Sequence, residues 1–477
     1  MIEFVRSNMA PLMFGGLIVF MLLGYPAAFS VAAVGLLFAF VGIELGLIEP
    51  NFLGNLVYQV FAIVSEEQGA LLLSIPFFTF MGAILERSGL AEDLLESIGQ
   101  LFGPVRGGLS YAVIFVGAIL GAITGTVAAS VIAMAVIALP LMLRHGYSVR
   151  HTTGVIAASG TITQLIPPAL VLIVLASQLG QPVGAMYAGA IGPSLIQIAL
   201  FCAWVFVVSL IWPKDVPALP PEARTLHGWA LWGKCLRGIV PSLGLMFLVL
   251  GTIYFGLATP TEAGAMGAVG ALVLAALNRR LTWPLTHQAM ATTMRITAMV
   301  VFILIGARVF SLVFQGVGGK VWVEDWLTSL PGGVIGFLIF VNIFIFVLAF
   351  FLDFFEIAFI VIPLLAPVAA KLGIDLVWFG VMICANIQTS FMHPPFGFAL
   401  FYLRGVAPPT VRTADIYWGA IPWVLLQVTL VAILIVWPGS VTYWIDRGPK
   451  ADPSKTQIEL PLPDLPPPPP IGLDPPR

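Results

Sequence analysis

Residues 140–168 read PLMLRHGYSVRHTTGVIAASGTITQLIPP, and residues 367–395 read PVAAKLGIDLVWFGVMICANIQTSFMHPP. Pro140, Gly146 and Pro167-Pro168 of the first stretch recur as Pro367, Gly373 and Pro394-Pro395 in the second, offset by 227 residues with the internal spacings of 6 and 21 kept. The chain therefore contains an internal duplication. Both copies are apolar around these landmarks, so each double proline interrupts a helix at membrane depth in the corresponding position of its half. Such paired interruptions are the best sequence pointer to the binding site of a transporter.

Composition sets the solvent. A chain of 477 residues with 59% hydrophobic and 9% charged residues and a mean hydropathy of +1.03 has too little polar surface to clothe a water-soluble globule. A bilayer accepts that imbalance. The apolar stretches 10–43, 107–143, 184–212, 238–278 and 333–370 are long enough for single spans, paired spans or re-entrant hairpins at about 20 residues per crossing. Alternating barrel strands are absent, so the spans are helices and the expected class is an all-α polytopic membrane protein in the lipid bilayer. The formal charge of −2 rests on few charges, and no basic tract marks a nucleic-acid partner. Cys202, Cys235 and Cys384 lack any Cys-x-x-Cys spacing, which supports neither a disulfide framework nor a zinc site and reads as three small apolar residues.

Outward from the double prolines, each half repeats one plan. Residues 107–143 are broken in the middle by Gly121-Ala-Ile-Thr-Gly-Thr126, and 334–370 by Leu352-Asp-Phe-Phe-Glu356, with Thr126 opposite Asp353 at the 227 offset. Two re-entrant hairpins, each followed by a proline-broken helix, are the economical reading. Before the first hairpin, Glu86, Arg87, Glu92, Asp93, Glu96 and Arg106 interleave with Leu90, Leu94, Leu95, Ile98 and Leu101 at helical spacing, the pattern of an arm lying along the membrane surface. The organisation expected is 1–106, 107–212, 213–332, 333–440 and a proline-rich, polyproline-like tail at 441–477. Lys and Arg gather in alternate loops, Arg87, Arg106, Arg144, Arg150 and Lys214 among them. That asymmetry places both termini outside, with five crossings in each half. An odd number inverts the two copies relative to each other across the membrane.

Breaking a helix in hydrocarbon exposes backbone groups that cost several kcal/mol each unless something satisfies them, and a dehydrated cation or a carboxylate can do so. The oxygens available are Thr124, Thr126, Ser130, Ser159, Thr161, Thr163 and Gln164 near the first break, and Asp353, Glu356, Asn386, Gln388, Thr389 and Ser390 near the second. Hard oxygen donors suit sodium or a proton better than zinc, copper or iron. Each hydroxyl has an equally ordinary use in bonding the preceding turn. Gly121, Gly125 and Gly160 would permit close backbone approach, and Pro167 and Pro394 mark the two breaks. As candidate cation ligands we take Gly121, Thr124, Thr126, Thr161, Pro167, Asp353, Asn386, Thr389 and Pro394.

Asp353, Glu356 and Arg308 are the ionisable groups expected deep in the membrane, where such groups are rare. They neutralise one another or, alternatively, leave Arg308 for an anionic solute, since a guanidinium matches a carboxylate at two points. His393 titrates near neutrality or bonds a freed carbonyl. Candidate solute contacts are Thr126, Thr163, Arg308, Asp353, Glu356 and His393. Thr259-Pro-Thr-Glu262 reads as a capped helix start. A channel would need a continuous polar pore, which is not seen. A hydrolase would need a nucleophile and base, for which Ser390 and His393 are the nearest pair.

Ala-Thr-Pro-Thr-Glu-Ala-Gly at 258–264, Ile75-Pro-Phe-Phe-Thr-Phe-Met-Gly-Ala-Ile-Leu-Glu-Arg-Ser-Gly89, the loop Gly121–Thr126 and Leu165-Ile-Pro-Pro168 together resemble the large membrane subunit of tripartite ATP-independent periplasmic (TRAP) transporters, over roughly residues 10–440. The resemblance implies a sodium-driven importer of an organic acid in a bacterial inner membrane. It further implies a periplasmic binding protein that delivers the solute, a separate small membrane subunit of about four spans, and an elevator in which a transport domain with two hairpins moves against a scaffold. Two departures stand out: Thr124 and Thr126 replace the serines common in the family's first loop, and His393 replaces the Thr usual before the second double proline. The run Phe350-Phe-Leu-Asp-Phe-Phe-Glu356 suggests a bulkier or more apolar solute than a small dicarboxylate. Coupling to protons is the alternative to sodium.

Overall fold

The computed structural model describes residues 2–63, 72–124, 127–224, 228–350, 352–394 and 397–445, with the backbone alone at 90–93 and 122–124. The described residues form helices joined by short turns, with no strand among them. The first half runs α1 (Met9–Leu22), α2 (Ala27–Glu44), α3 (Ser74–Arg87), α4 (Leu90–Phe102), α5 (Gly108–Thr124), α6 (Val127–Arg144), α7 (Val149–Thr161), α8 (Leu170–Leu179) and α9 (Val183–Ile211). The second runs α10 (Gly228–Tyr254), α11 (Pro260–Leu277), α12 (Trp283–Gly316), α13 (Gly319–Thr328), α14 (Gly333–Leu348), α15 (Phe354–Lys371), α16 (Leu376–Ile387), α17 (Phe398–Val406) and α18 (Thr413–Val436). Among the described residues, eight helices are long and apolar enough to cross a bilayer, which makes this a multi-span membrane protein. Two of the eight, α6 and α15, follow the loops read as hairpin tips. The helices flanking the double prolines are too short to count singly.

Local chemistry explains why the segments leading to the two double prolines fold alike. Helix α6 covers 127–144 and α15 covers 354–371, both ends related by 227, and both tolerate a proline, Pro140 and Pro367, in their last turns. Gly146 and Gly373 then adopt φ of +81° and +73°, a conformation that costs a side chain strain and a glycine none. Ser148 and Asp375 cap the next helices: the Ser148 hydroxyl accepts from the His151 N–H, and Asp375 Oδ1 accepts from the Trp378 N–H at 2.9 Å. In both halves that helix, α7 or α16, loosens into a 3₁₀ turn ahead of the double proline. One difference is a π turn at Ile357–Val361 in α15. It lies just before Pro363, whose ring crowds the carbonyl four residues back and cannot donate to it.

Packing is crosswise. Helix α2 lies along α12, and its counterpart α11 lies along α3; α7 lies along α18, and α16 along α9; α6 meets α17, and α15 meets α8. Small residues allow the closest of these approaches, as expected where lipid supplies no hydrophobic drive between helices. At Gly154 an added Cβ would stand 2.1 Å from the Gly419 carbonyl oxygen. The arm α4 buries Leu94, Leu95 and Ile98 against α5 and α10, while Glu96 reaches Lys234 at 2.8 Å. Thr259 and Glu262 form the expected capping box, the Glu262 carboxylate accepting the Thr259 N–H at 2.8 Å.

Candidate functional site at the two helix breaks

Proline has no N–H, so Pro167 and Pro168 withhold the helical bonds due to the carbonyls of Thr163 and Gln164, and Pro394 and Pro395 do the same to Ser390 and Phe391. Some of that loss is repaired from across the molecule. The Cys384 thiol, in α16 of the second half, donates to the Gln164 carbonyl at 3.2 Å. The Ser194 hydroxyl in α9 shares its proton between its own Ala190 carbonyl at 2.7 Å and the Leu165 carbonyl beside the first break at 3.2 Å. Sequence reasoning missed both roles. Cys384 reads as filler because nothing in its own neighbourhood names the distant carbonyl it serves.

Thr161, Thr163 and Thr389 are fully buried. Thr161 donates to the Ala158 carbonyl and Thr163 to Gly160, each at 2.9 Å, and Thr389 donates to Asn386 at 2.7 Å. These are the back-bonds of the structural reading. They also commit each hydroxyl proton to a carbonyl, which leaves oxygen lone pairs as the only face the threonines can offer. The Asn386 amide donates to both the backbone and side-chain oxygens of Asn342 on α14, at 2.8 and 2.9 Å. Its bonds therefore tie the second break to α14. Gly121 brings α5 against the first break: a Cβ there would meet Thr163 Cα at 2.8 Å. Gly160 brings α7 against α6, since a Cβ there would be 2.2 Å from Val131 Cγ2. The backbone of Thr124 ends α5; Gly125, Thr126, Pro395 and the tail at 446–477 lie outside the described residues.

Asp353 and Glu356 meet at the start of α15, Asp353 just outside the helix and Glu356 in its first turn. They cap α15: Asp353 Oδ1 accepts from the Phe354 N–H at 2.7 Å, and Glu356 Oε2 accepts from the Asp353 N–H at 3.1 Å. Arg308 sits on α12, half-buried, with Nη1 donating to Gln59 Oε1 of the short helix Asn55–Phe61 at 3.4 Å. Helix α12 in turn lies against the start of α15. His393 is buried between Phe346 and Phe350, both ring centroids 4.2 Å away, and neither of its nitrogens has a partner. Ser390 Oγ is likewise unpartnered, so these two side chains do not bond each other.

Buried polar atoms without partners are costly, about 1–3 kcal/mol each, and their position is informative. In and around the breaks they include Gln164 Oε1, Gln388 Nε2, Ser390 Oγ and both His393 nitrogens, with Gln197 Oε1 and Gln427 Oε1 on amides that reach the breaks. This is a set of donors and acceptors able to receive something small and polar.

The sequence model of the family described as "Tripartite ATP-independent periplasmic transporter, DctM component" matches residues 14–440. A C4-dicarboxylate TRAP transporter large permease from Pseudomonas aeruginosa is 30% identical over 401 residues, 82% of this chain and 88% of its own. The 2,3-diketo-L-gulonate TRAP large permease of Escherichia coli is 27% identical, covering 77% and 84%. An ectoine/5-hydroxyectoine TRAP large permease of Ruegeria pomeroyi is 28% identical, covering 90% and 97%. Among solved structures, the YdaH transporter of Alcanivorax borkumensis superposes with a TM-score of 0.57 at 16% identity, over 82% of this chain and 88% of that one, a likeness of fold.

Proposed function

The chain belongs to the DctM family, the large permeases of TRAP transporters and not enzymes, and from that premise we propose that it couples sodium entry to import of an organic anion handed over by a periplasmic binding protein. The observation that carries this reading is the concentration of bare, buried oxygen and nitrogen atoms at the two proline breaks. Thr161, Thr163 and Thr389 offer lone pairs, and carbonyls released by Pro167 and Pro394 add more, a donor set that fits a hard monovalent cation. Gly121, Thr124, Thr126, Asp353 and Asn386 complete the proposed cation residues. Arg308, Asp353, Glu356, His393, Thr126 and Thr163 are the residues proposed to meet the solute, with the aromatic pair Phe346 and Phe350 on the His393 side.

The crosswise packing of corresponding helices supports two halves inserted in opposite senses, each supplying a hairpin and a broken helix to one transport unit. An elevator then carries residues 107–212 and 333–440, which hold the breaks and α9, past a scaffold drawn from 1–106 and 213–332, with α2, α3, α10, α11 and α12 in it. The setting is a bacterial inner membrane with both termini periplasmic, alongside a small membrane subunit of about four spans. The relatives are named for different acids and for ectoine, so the binding protein is taken to set much of the choice of solute. The test is uptake into proteoliposomes of a panel of labelled organic acids, presented with a cognate periplasmic binding protein. Replacing external sodium with choline should abolish uptake; undiminished uptake sinks sodium coupling. Proton coupling has one observation of its own, the part-buried capping box of Asp353 and Glu356, where two carboxylates share one helix start. It requires instead that a pH gradient drive uptake in choline.

A further inference from the structure

Two glutamines reach across the molecule in the same way from opposite halves. Gln197 in α9 donates its Nε2 to Gln388 Oε1, in the 3₁₀ turn of the second break. Gln427 in α18 donates its Nε2 to Thr161 Oγ1 at 3.0 Å, at the last residue of α7 before the first break. Helices α9 and α18 are the long helices that follow the breaks in their own halves. Counted from their starts at Val183 and Thr413, Gln197 and Gln427 occupy the same place. Thr161 and Gln388 are related by the 227 offset that relates the breaks.

All four residues are buried, with exposures of 0 to 1%. A glutamine there gives up about 1.5–2 kcal/mol of rotamer freedom together with the hydration of its amide. A leucine of similar size would fill the space without either cost. Nor do the amides satisfy one another, because Gln197 Oε1, Gln388 Nε2 and Gln427 Oε1 are left without partners. Exchanging nitrogen and oxygen within the Gln197–Gln388 pair leaves equally many bare. What the bonds do accomplish is geometric. Each ties a helix of one half to the break of the other. At Thr161 the hydroxyl proton is held by Ala158 and one lone pair by Gln427, so the hydroxyl cannot rotate and its remaining lone pair has a fixed direction.

We propose that Gln197 and Gln427 are positioning residues, a pair of crossed braces that hold the two helix breaks in register and thereby set the geometry of the cation site between them. This rests on the sodium reading above, and the test separates the two. Full-length protein in lipid nanodiscs is titrated with sodium chloride against choline chloride at constant ionic strength, with the thermal midpoint reporting sodium binding. Gln197→Leu and Gln427→Leu should each raise the half-saturating sodium concentration by about fivefold or more, the effect of one buried hydrogen bond lost. The pair Gln197→Leu/Gln388→Leu removes the bare polar atoms as well, so its sodium-free midpoint should return to that of the native protein while the sodium response stays weakened. Unchanged half-saturation in both single variants overturns the proposal. So does a double variant that recovers its sodium response together with its midpoint, which is the behaviour of a merely structural contact. A native protein with no sodium-dependent shift takes down the sodium reading first and the braces with it.

Discussion

His393 illustrates what single residues contribute. Its ring is packed against Phe346 and Phe350 and carries two nitrogens with no partner, so in the absence of solute it is a net cost to the fold. His393→Leu should therefore leave the thermal midpoint unchanged or raise it, while uptake in proteoliposomes falls at least tenfold if the imidazole meets the solute. Full uptake with a raised midpoint would remove His393 from the site. Gly154 is the opposite case. A Cβ there would meet a backbone oxygen at 2.1 Å and the Trp423 indole nitrogen at 2.5 Å, neither of which is the free end of a flexible chain. Gly154→Ala should cost about 1–3 kcal/mol by overpacking. Gly405→Ala, in a helix with nothing within 4 Å, should instead raise the midpoint slightly, by about 0.4–1 kcal/mol of stability.

At the scale of elements, α4 shows which of its features hold it in place. Its apolar side is buried against α5 and α10, and an added Cβ at Gly238 would lie 2.9 Å from Leu94 Cδ2. The Lys234–Glu96 pair is largely solvated, and exposed ion pairs are worth about 0–1 kcal/mol. Leu94→Ala should cost about 2–5 kcal/mol through the cavity it leaves. Glu96→Gln should cost less than about 1 kcal/mol, and equal losses from the two would mean that charge and not packing docks this helix. That an amphipathic helix lies here was legible from its alternating Leu and Glu. The surface that receives it was not, because α10 presents Gly238 to Leu94 from more than a hundred residues away in the chain. The capping pairs divide in the same way. Thr259 with Glu262 followed from local spacing, whereas Asp353 and Glu356 look equally like a paired helical face until the start of α15 fixes their roles.

For the whole molecule, the consequential question is whether the segment holding the breaks moves against the rest. Gly184 on α9 and Ile253 on α10 lie together, with a Cβ at 184 only 3.6 Å from the Ile253 carbonyl oxygen. In a background with Cys202, Cys235 and Cys384 replaced, the pair Gly184→Cys and Ile253→Cys should form a disulfide that arrests uptake until a reductant is added. Gly264→Cys with Phe77→Cys, which joins α11 to α3 inside the proposed scaffold where the two Cβ positions stand 3.1 Å apart, should leave uptake intact. Arrest by neither or by both would reject the elevator. The sequence by itself determined the membrane solvent, the helical class, and the recurrence of Pro140, Gly146 and Pro167-Pro168 227 residues on, which marks the two proline breaks. Each of these follows from composition or from a residue's own backbone chemistry, which does not depend on distant neighbours. Tertiary structure alone decided that corresponding helices pack crosswise, that Cys384 serves the Gln164 carbonyl, and that Gln197 and Gln427 reach the opposite break. A hydrogen bond between residues nearly two hundred or more positions apart is fixed by how whole helices pack, and no local pattern in the chain carries that information.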